Sequence, residues 1–268
     1  MAMQGFTYHR PDSVAEAAAM MRAGASGIAG GMSLLPVMKH RLATPSALVD
    51  LSGISALAGI EAKPGWLTIG AMTRHIAVAD SPAVAASIPA LAALASGIGD
   101  PAVRNRGTIG GVLANADPSA DYPAAVVGLG ATIVTDRREI AGDDFFTGLF
   151  ATALAPGELI TEVRFPVPLA AAYAKFRSPA SRYAIVGVFD ARFADGVRVA
   201  VTGAGPSVFR VPAMEAALAD TFAPESLAGI TVAPEGLNGD IHAEPAFRAH
   251  LVGVMARRAV ASARGSLE

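Results

Sequence analysis

Ala29-Gly30-Gly31-Met32-Ser33, running into Leu34-Leu35-Pro36, and Arg104-Asn105-Arg106-Gly107-Thr108-Ile109-Gly110-Gly111, followed by Asn115, Asp117 and Asp121, are the stretches on which the reading of this chain turns. Each passes from apolar or β-branched residues into small ones bearing backbone N–H groups and hydroxyls. A glycine pair lets the backbone approach an anion closely, because no Cβ intervenes. Successive N–H groups can then converge on phosphate oxygens. Taken alone, Gly30-Gly31 is equally a tight turn. The second tract is richer: Asn105, Thr108, Asn115 and Asp121 place hydrogen-bonding side chains around Gly110-Gly111. Two such tracts in one chain point to a ligand with two phosphates, gripped from two sides.

The 268 residues suffice for one large domain or two modest ones. Apolar residues make up 52% and charged residues only 16%, well under the ~25% usual for soluble domains. Either an alanine-rich composition or a surface covered by a partner accounts for so few charges. A net charge of −2 gives no basic footprint for nucleic acid. The chain has no cysteine, which excludes disulfides, thiolate catalysis and cysteine-ligated iron–sulfur clusters on it. Residues 1–10 lack a signal-type apolar segment. The longest charge-free run, 81–99, is mostly alanine and holds two prolines, so no membrane span is expected. A cytoplasmic location follows as the expectation. Gly265-Ser266-Leu267-Glu268 reads as an expression-tag remnant.

Along the chain, Ser13 with Glu16 three residues later forms a capping box for a helix reaching Arg22. Ile28-Ala29 reads as a short buried strand, 34–41 as a helix and 48–51 as a strand. Further on, 66–70 is a strand with Ile60-Glu61 as hairpin partner, Thr73-Arg74-His75 opens a helix, and 89–96 is another. The spacing gives 124–135 buried-strand character after a helical turn, and 140–146 a loop carrying Asp143 and Asp144. Leu159 to Pro166 alternates as a half-buried strand ended by proline. Pro166-Val167-Pro168 marks the best boundary. Beyond it, alternating stretches predict an antiparallel meander followed by helices at 212–220 and 246–264. The expected fold class is α+β. A two-lobed first domain spans 1–167, with a small α/β lobe over about 1–55 and a larger α+β lobe over 56–167. A C-terminal α+β domain with an antiparallel sheet covers 168–264.

Common chemistries are poorly supported. No P-loop is present, and Gly128-Leu129-Gly130 and Gly203-Ala204-Gly205 lack the third glycine of a Rossmann fingerprint. His9, His40, His75, His242 and His250 are scattered without ligand spacing and read as surface or packing residues. Ser33 lacks a nucleophile-elbow context, and Asp143-Asp144 reads as a solvated pair.

Ala29 to Pro36, Lys39, Arg41, Pro45 and Leu48-Val49-Asp50-Leu51 together resemble the flavin-binding medium subunit of molybdenum hydroxylases, the carbon monoxide and xanthine dehydrogenase family. The likeness continues through Ile69 to Thr73, His75, Ser81-Pro82, Arg104 to Gly111, Asn115 to Asp121 and Glu158-Leu159-Ile160. It covers nearly the whole chain. The resemblance implies that 29–33 (Ala29, Gly30, Gly31, Met32, Ser33) and 108–111 (Thr108, Ile109, Gly110, Gly111) wrap the FAD pyrophosphate. It implies that Asp121 contacts the adenosine part and that Leu159 and Ile160 lie near the adenine or the dimethylbenzene ring. Lys175 and Tyr183 take the places of a basic and an aromatic residue near the flavin, with Arg177 a rival for the former. Asn105 and Asn115 complete the candidate set. Partners implied are a molybdopterin-containing large subunit and a 2Fe-2S small subunit, with FAD passing electrons to an external acceptor. Met32 and Val112 depart from the family's more polar residues at those places. They leave open a flavin-free assembly subunit, beside a standalone FAD-dependent oxidoreductase.

Overall fold

A computed structural model describes residues 4–265; the tag-like residues 266–268 and residues 1–3 of the amino-terminal stretch lie outside the described residues. The chain opens with β1 (Thr7–His9), α1 (Val14–Arg22), β2 (Ser26–Ile28), α2 (Leu34–Lys39) and β3 (Ala47–Asp50). These strands form a parallel sheet in the order β1-β3-β2. The Ser13 hydroxyl accepts the Glu16 N–H at 3.3 Å and caps α1. The α2 helix stops short of the expected Arg41, because Arg41 itself turns left-handed (φ 57°).

The next elements are β4 (Ile60–Lys63), β5 (Trp66–Gly70), then six helices: α3 (His75–Ala79), α4 (Pro82–Ser87), α5 (Pro89–Ser96), α6 (Pro101–Arg106), α7 (Ile109–Asn115) and α8 (Tyr122–Gly128). They are followed by β6 (Thr132–Thr135), β7 (Glu139–Ala141), α9 (Gly142–Phe145), β8 (Phe146–Gly148), β9 (Ala151–Thr152) and β10 (Ile160–Pro166). An antiparallel sheet runs β4-β5-β10-β6-β7. The seven-residue α8 runs through 124–128, where strand character was expected, and only 132–135 of that stretch is strand. All seven are buried, and a segment apolar on every side gives no period to read. The expected loop over 140–146 is the end of β7 plus the single turn α9.

The remainder is an antiparallel meander of β11 (Ala170–Arg177), β12 (Ala184–Phe193), β13 (Gly196–Thr202) and β14 (Phe209–Arg210), with α10 (Pro212–Asp220) and the long α11 (Pro245–Arg264) packed on it. Strand β12 is buried through eight consecutive residues because both its faces are covered. Val186 and Val188 join Val252, Met255 and Ala256 of α11 in one core. Phe189 and Ala191 join Tyr122, Ala124 and Leu94 in the core beneath the five-stranded sheet. Gly128 makes room for this: a Cβ there would fall 2.9 Å from Phe189 Cδ1. Asp190, on the same strand, is fully buried and neither carboxylate oxygen finds a hydrogen-bond partner among the described residues. Burial and the nearby Glu215 push its carboxyl well above the ordinary value.

Candidate cofactor site

The two glycine tracts meet. A Cβ on Gly30 would fall 2.2 Å from the Arg106 carbonyl oxygen and 2.8 Å from Gly107 Cα; one on Gly111 would fall 3.3 Å from Ala29 Cβ. Gly31 adopts φ 74°, a conformation that costs other residues strain. The tracts close one side of a cavity of about 520 Å³, inside the size range of small-molecule sites.

The tracts contribute differently. The N–H groups of Gly30, Gly31, Met32 and Ser33 make no backbone hydrogen bond among the described residues, and the Ser33 hydroxyl caps nothing. Gly31 and Ser33 carbonyls accept Leu35 and Val37 N–H at 3.1 and 3.2 Å, which fixes the loop to α2. The second tract is the first turn of α7, not a loop. Its N–H groups are already engaged: Ile109 donates to Thr73 O at 3.1 Å, Gly110 to Ala71 O at 2.8 Å, and Gly111 to the Thr108 hydroxyl at 3.2 Å. Gly110 exists for packing, since its Cβ would lie 2.6 Å from Ala71 Cβ. So the first tract offers donors and the second offers close approach.

Of the residues singled out in the sequence, Ala29, Gly30, Gly31, Met32, Ser33, Thr108, Gly110, Gly111, Asn115, Asp121, Leu159, Ile160 and Tyr183 line the cavity. Three do not. Asn105 is exposed and donates to Pro101 O at 2.8 Å within its own helix. Ile109 is fully buried in the core under the sheet. Lys175 has its Nζ donors engaged by Asp121 Oδ2 at 2.9 Å, Arg182 O at 3.0 Å and Gly97 O at 3.1 Å. It therefore holds Asp121 and the 178–183 turn in place. Arg177, the rival for that role, ends β11 and is also absent from the cavity wall. Tyr173 donates to the other oxygen of Asp121. Burial raises the Asp121 carboxyl, and Lys175 and Tyr173 offset part of that rise. Met32 is partly exposed at the cavity, while Val112 packs on the core and lines the same cavity.

The far wall is set by Glu158. Its carboxylate accepts Arg138 Nε and Nη2 at 2.9 and 3.0 Å, the Thr135 hydroxyl at 2.8 Å and Ala155 N–H at 2.7 Å. The Arg138 guanidinium holds this carboxyl down to about 2. Leu159 N–H donates to Asp136 Oδ1 at 2.8 Å, and Leu159 O accepts Asp136 N–H at 2.9 Å. Leu159 and Ile160 thus present a fixed apolar surface to the cavity. Sequence reasoning did not find His75 or Asp117 as wall residues. Both stood inside quoted motifs, yet spacing alone gave neither a partner. Burial raises the Asp117 carboxyl.

Residues 4–168 match the family described as FAD binding domain in molybdopterin dehydrogenase. The chain belongs to this family. Within it, the chain is an FAD-binding medium subunit of the carbon monoxide dehydrogenase type, an oxidoreductase component. It is 45% identical over 170 residues to the carbon monoxide dehydrogenase medium chain of Afipia carboxidovorans, covering 61% of this chain and 59% of that one. The nicotine 6-hydroxylase medium subunit of Paenarthrobacter nicotinovorans is 36% identical over 217 residues, 76% of each chain. A chain of carbon monoxide dehydrogenase from Hydrogenophaga pseudoflava superposes over 99% of both chains with TM-score 0.89 and 35% identity. Among the described residues of this flavin-binding subunit, no helix is long and apolar enough to cross a membrane.

Proposed function

We propose that this chain is the electron-exit subunit of a cytoplasmic molybdenum hydroxylase complex. A molybdopterin-containing large subunit would oxidise substrate, a 2Fe-2S small subunit would relay the electrons, and FAD held here would pass them to an external acceptor. The observation that carries this reading is the contact of the two glycine tracts at one side of a single cavity, with free backbone donors on the first of them. The residues present fit FAD: the backbone N–H groups of 30–33 are unengaged beside the cavity, and its lining offers hydroxyl, amide and apolar surfaces in turn.

When bound, FAD supplies the exchange between paired and single electrons. The chain supplies position. Backbone N–H groups of 30–33 and the Ser33 hydroxyl receive the diphosphate. Asp121, held by Lys175 and Tyr173, keeps acceptor lone pairs for a ribose hydroxyl, and Asn115 adds an amide. Leu159 and Ile160 exclude water from one ring, and the half-exposed Tyr183 covers an edge. The absence of cysteine assigns the clusters to another chain. We further propose that 1–167, in lobes of about 1–55 and 56–167, form the flavin-binding domain and 168–264 a C-terminal domain.

The test is reconstitution and co-purification. The purified chain should take up one equivalent of FAD with visible flavin absorbance, and should travel with polypeptides bearing molybdopterin and iron. A colourless chain that ignores added FAD would favour a flavin-free assembly role. Turnover of an organic substrate by the lone flavinated chain would favour a standalone oxidoreductase.

A further inference from the structure

His75, the first residue of α3, sits beneath the seam between the tracts. The residue is 1% exposed and forms part of the cavity wall. The ring leans on Tyr122, with centroids 5.4 Å apart. Nδ1 is buried without a hydrogen-bond partner among the described residues. Nε2 lies at Gly107, where an added Cβ would fall 2.5 Å from it. Gly107 is the residue whose Cα would crowd a Cβ on Gly30. The imidazole therefore reaches the place where the two tracts touch.

A neutral imidazole carries one N–H and one lone pair. A proton on Nδ1 would be a buried donor with no acceptor, a costly arrangement. The tautomer protonated on Nε2 instead points its donor toward the seam. That side of the seam needs one, because the N–H groups of 109–111 are already engaged.

We infer that His75 is a further ligand of the dinucleotide diphosphate, donating Nε2–H to a phosphate oxygen at the Gly30–Gly107 seam. This rests on the FAD reading above. The electrostatics agree with it. Burial and the Arg104 charge hold His75 down to about 4, so it is neutral in the free chain near neutral pH. Charged groups on the packed elements are Arg104 and Arg106 of α6 and, before α8, Asp121, which Lys175 already neutralises. Helices α4, α5 and α7 bring none. A diphosphate at the seam adds opposite charge and raises the imidazole value. The imidazole nonetheless stays neutral on binding near neutral pH, because a second proton on Nδ1 would be the buried donor without an acceptor.

The experiment uses the full chain freed of flavin, with FAD as probe. In ¹⁵N-histidine spectra at neutral pH, FAD should shift the His75 Nε2 resonance while Nδ1 keeps the signature of an unprotonated nitrogen. His75→Phe should weaken FAD binding roughly tenfold or more, while His75→Gln, which keeps an N–H donor, should recover part of that. FAD that binds without moving the Nε2 resonance overturns this inference but leaves the FAD reading intact. Failure of the wild-type chain to bind FAD overturns both. If His75→Phe does not fold, the wild-type spectra decide alone.

Discussion

Gly30 and Arg106 belong to connections of different sheets, yet the Arg106 carbonyl occupies the position a Gly30 side chain would need, 2.2 Å from its Cβ. No rotamer change relieves that conflict, because the obstructing atom is backbone. The halves of the cradle can meet only while residue 30 is glycine.

Gly30→Ala should therefore separate the tracts. We expect a stability loss of about 1–3 kcal/mol and at least a tenfold weaker FAD affinity. Gly5→Ala, where an added Cβ meets nothing within 4 Å, should change neither. Thermal melts with and without FAD compare the two variants.

Asp121 and Lys175 are both largely buried, with side chains 5% and 10% exposed. Removing one partner strands a charge. Lys175→Met should destabilise the chain by about 3–5 kcal/mol, and the double variant with Asp121→Asn should restore much of that. Equal losses in the single and double variants, measured by urea unfolding, would dissociate the ion pair from stability.

Glu158 titrates at about 2 in the fold against an ordinary 4.5. A depressed carboxyl contributes stability that is complete above the ordinary value and disappears as pH falls toward the folded one. The wild-type chain should thus lose about 3 kcal/mol relative to Glu158→Gln between pH 5 and pH 2. A parallel pair of stability curves would disprove the assignment.

Asp190 has the opposite sign. Its folded value is raised, so it opposes folding increasingly as pH rises above the ordinary carboxyl range. Asp190→Asn should gain on wild type between pH 4 and pH 8 in denaturant titrations. A constant difference across that range would mean the carboxyl is not what disfavours the fold there.

Much of this was legible in the residue order. Ser13 and Glu16 announce α1 through local hydrogen bonding, and Ile160 to Pro166 alternates because β10 buries one face. The glycine pairs were readable as a close approach, but the approached object was not. At Gly110 it is Ala71, a residue thirty-nine positions earlier, and at Gly30 it is the Arg106 carbonyl. Long-range neighbours of this kind leave no mark in spacing. The same holds for Lys175, whose acceptors Gly97 and Asp121 come from distant elements, and for His75, whose isolation gave no hint of burial. Helix α8 was misread because its complete burial erased any amphipathic period.

Strand β12 has one further consequence. Its Phe189 fills the core beneath the five-stranded sheet, although the matched family segment ends at residue 168. The matched segment therefore shares its hydrophobic interior with residues beyond its end. Cut free at that point, it would leave Tyr122 and Leu94 without a ceiling, and the resulting sticky fragment would clump. Melting of the intact chain should be a single concerted event, because the shared strand ties both hydrophobic interiors to one transition.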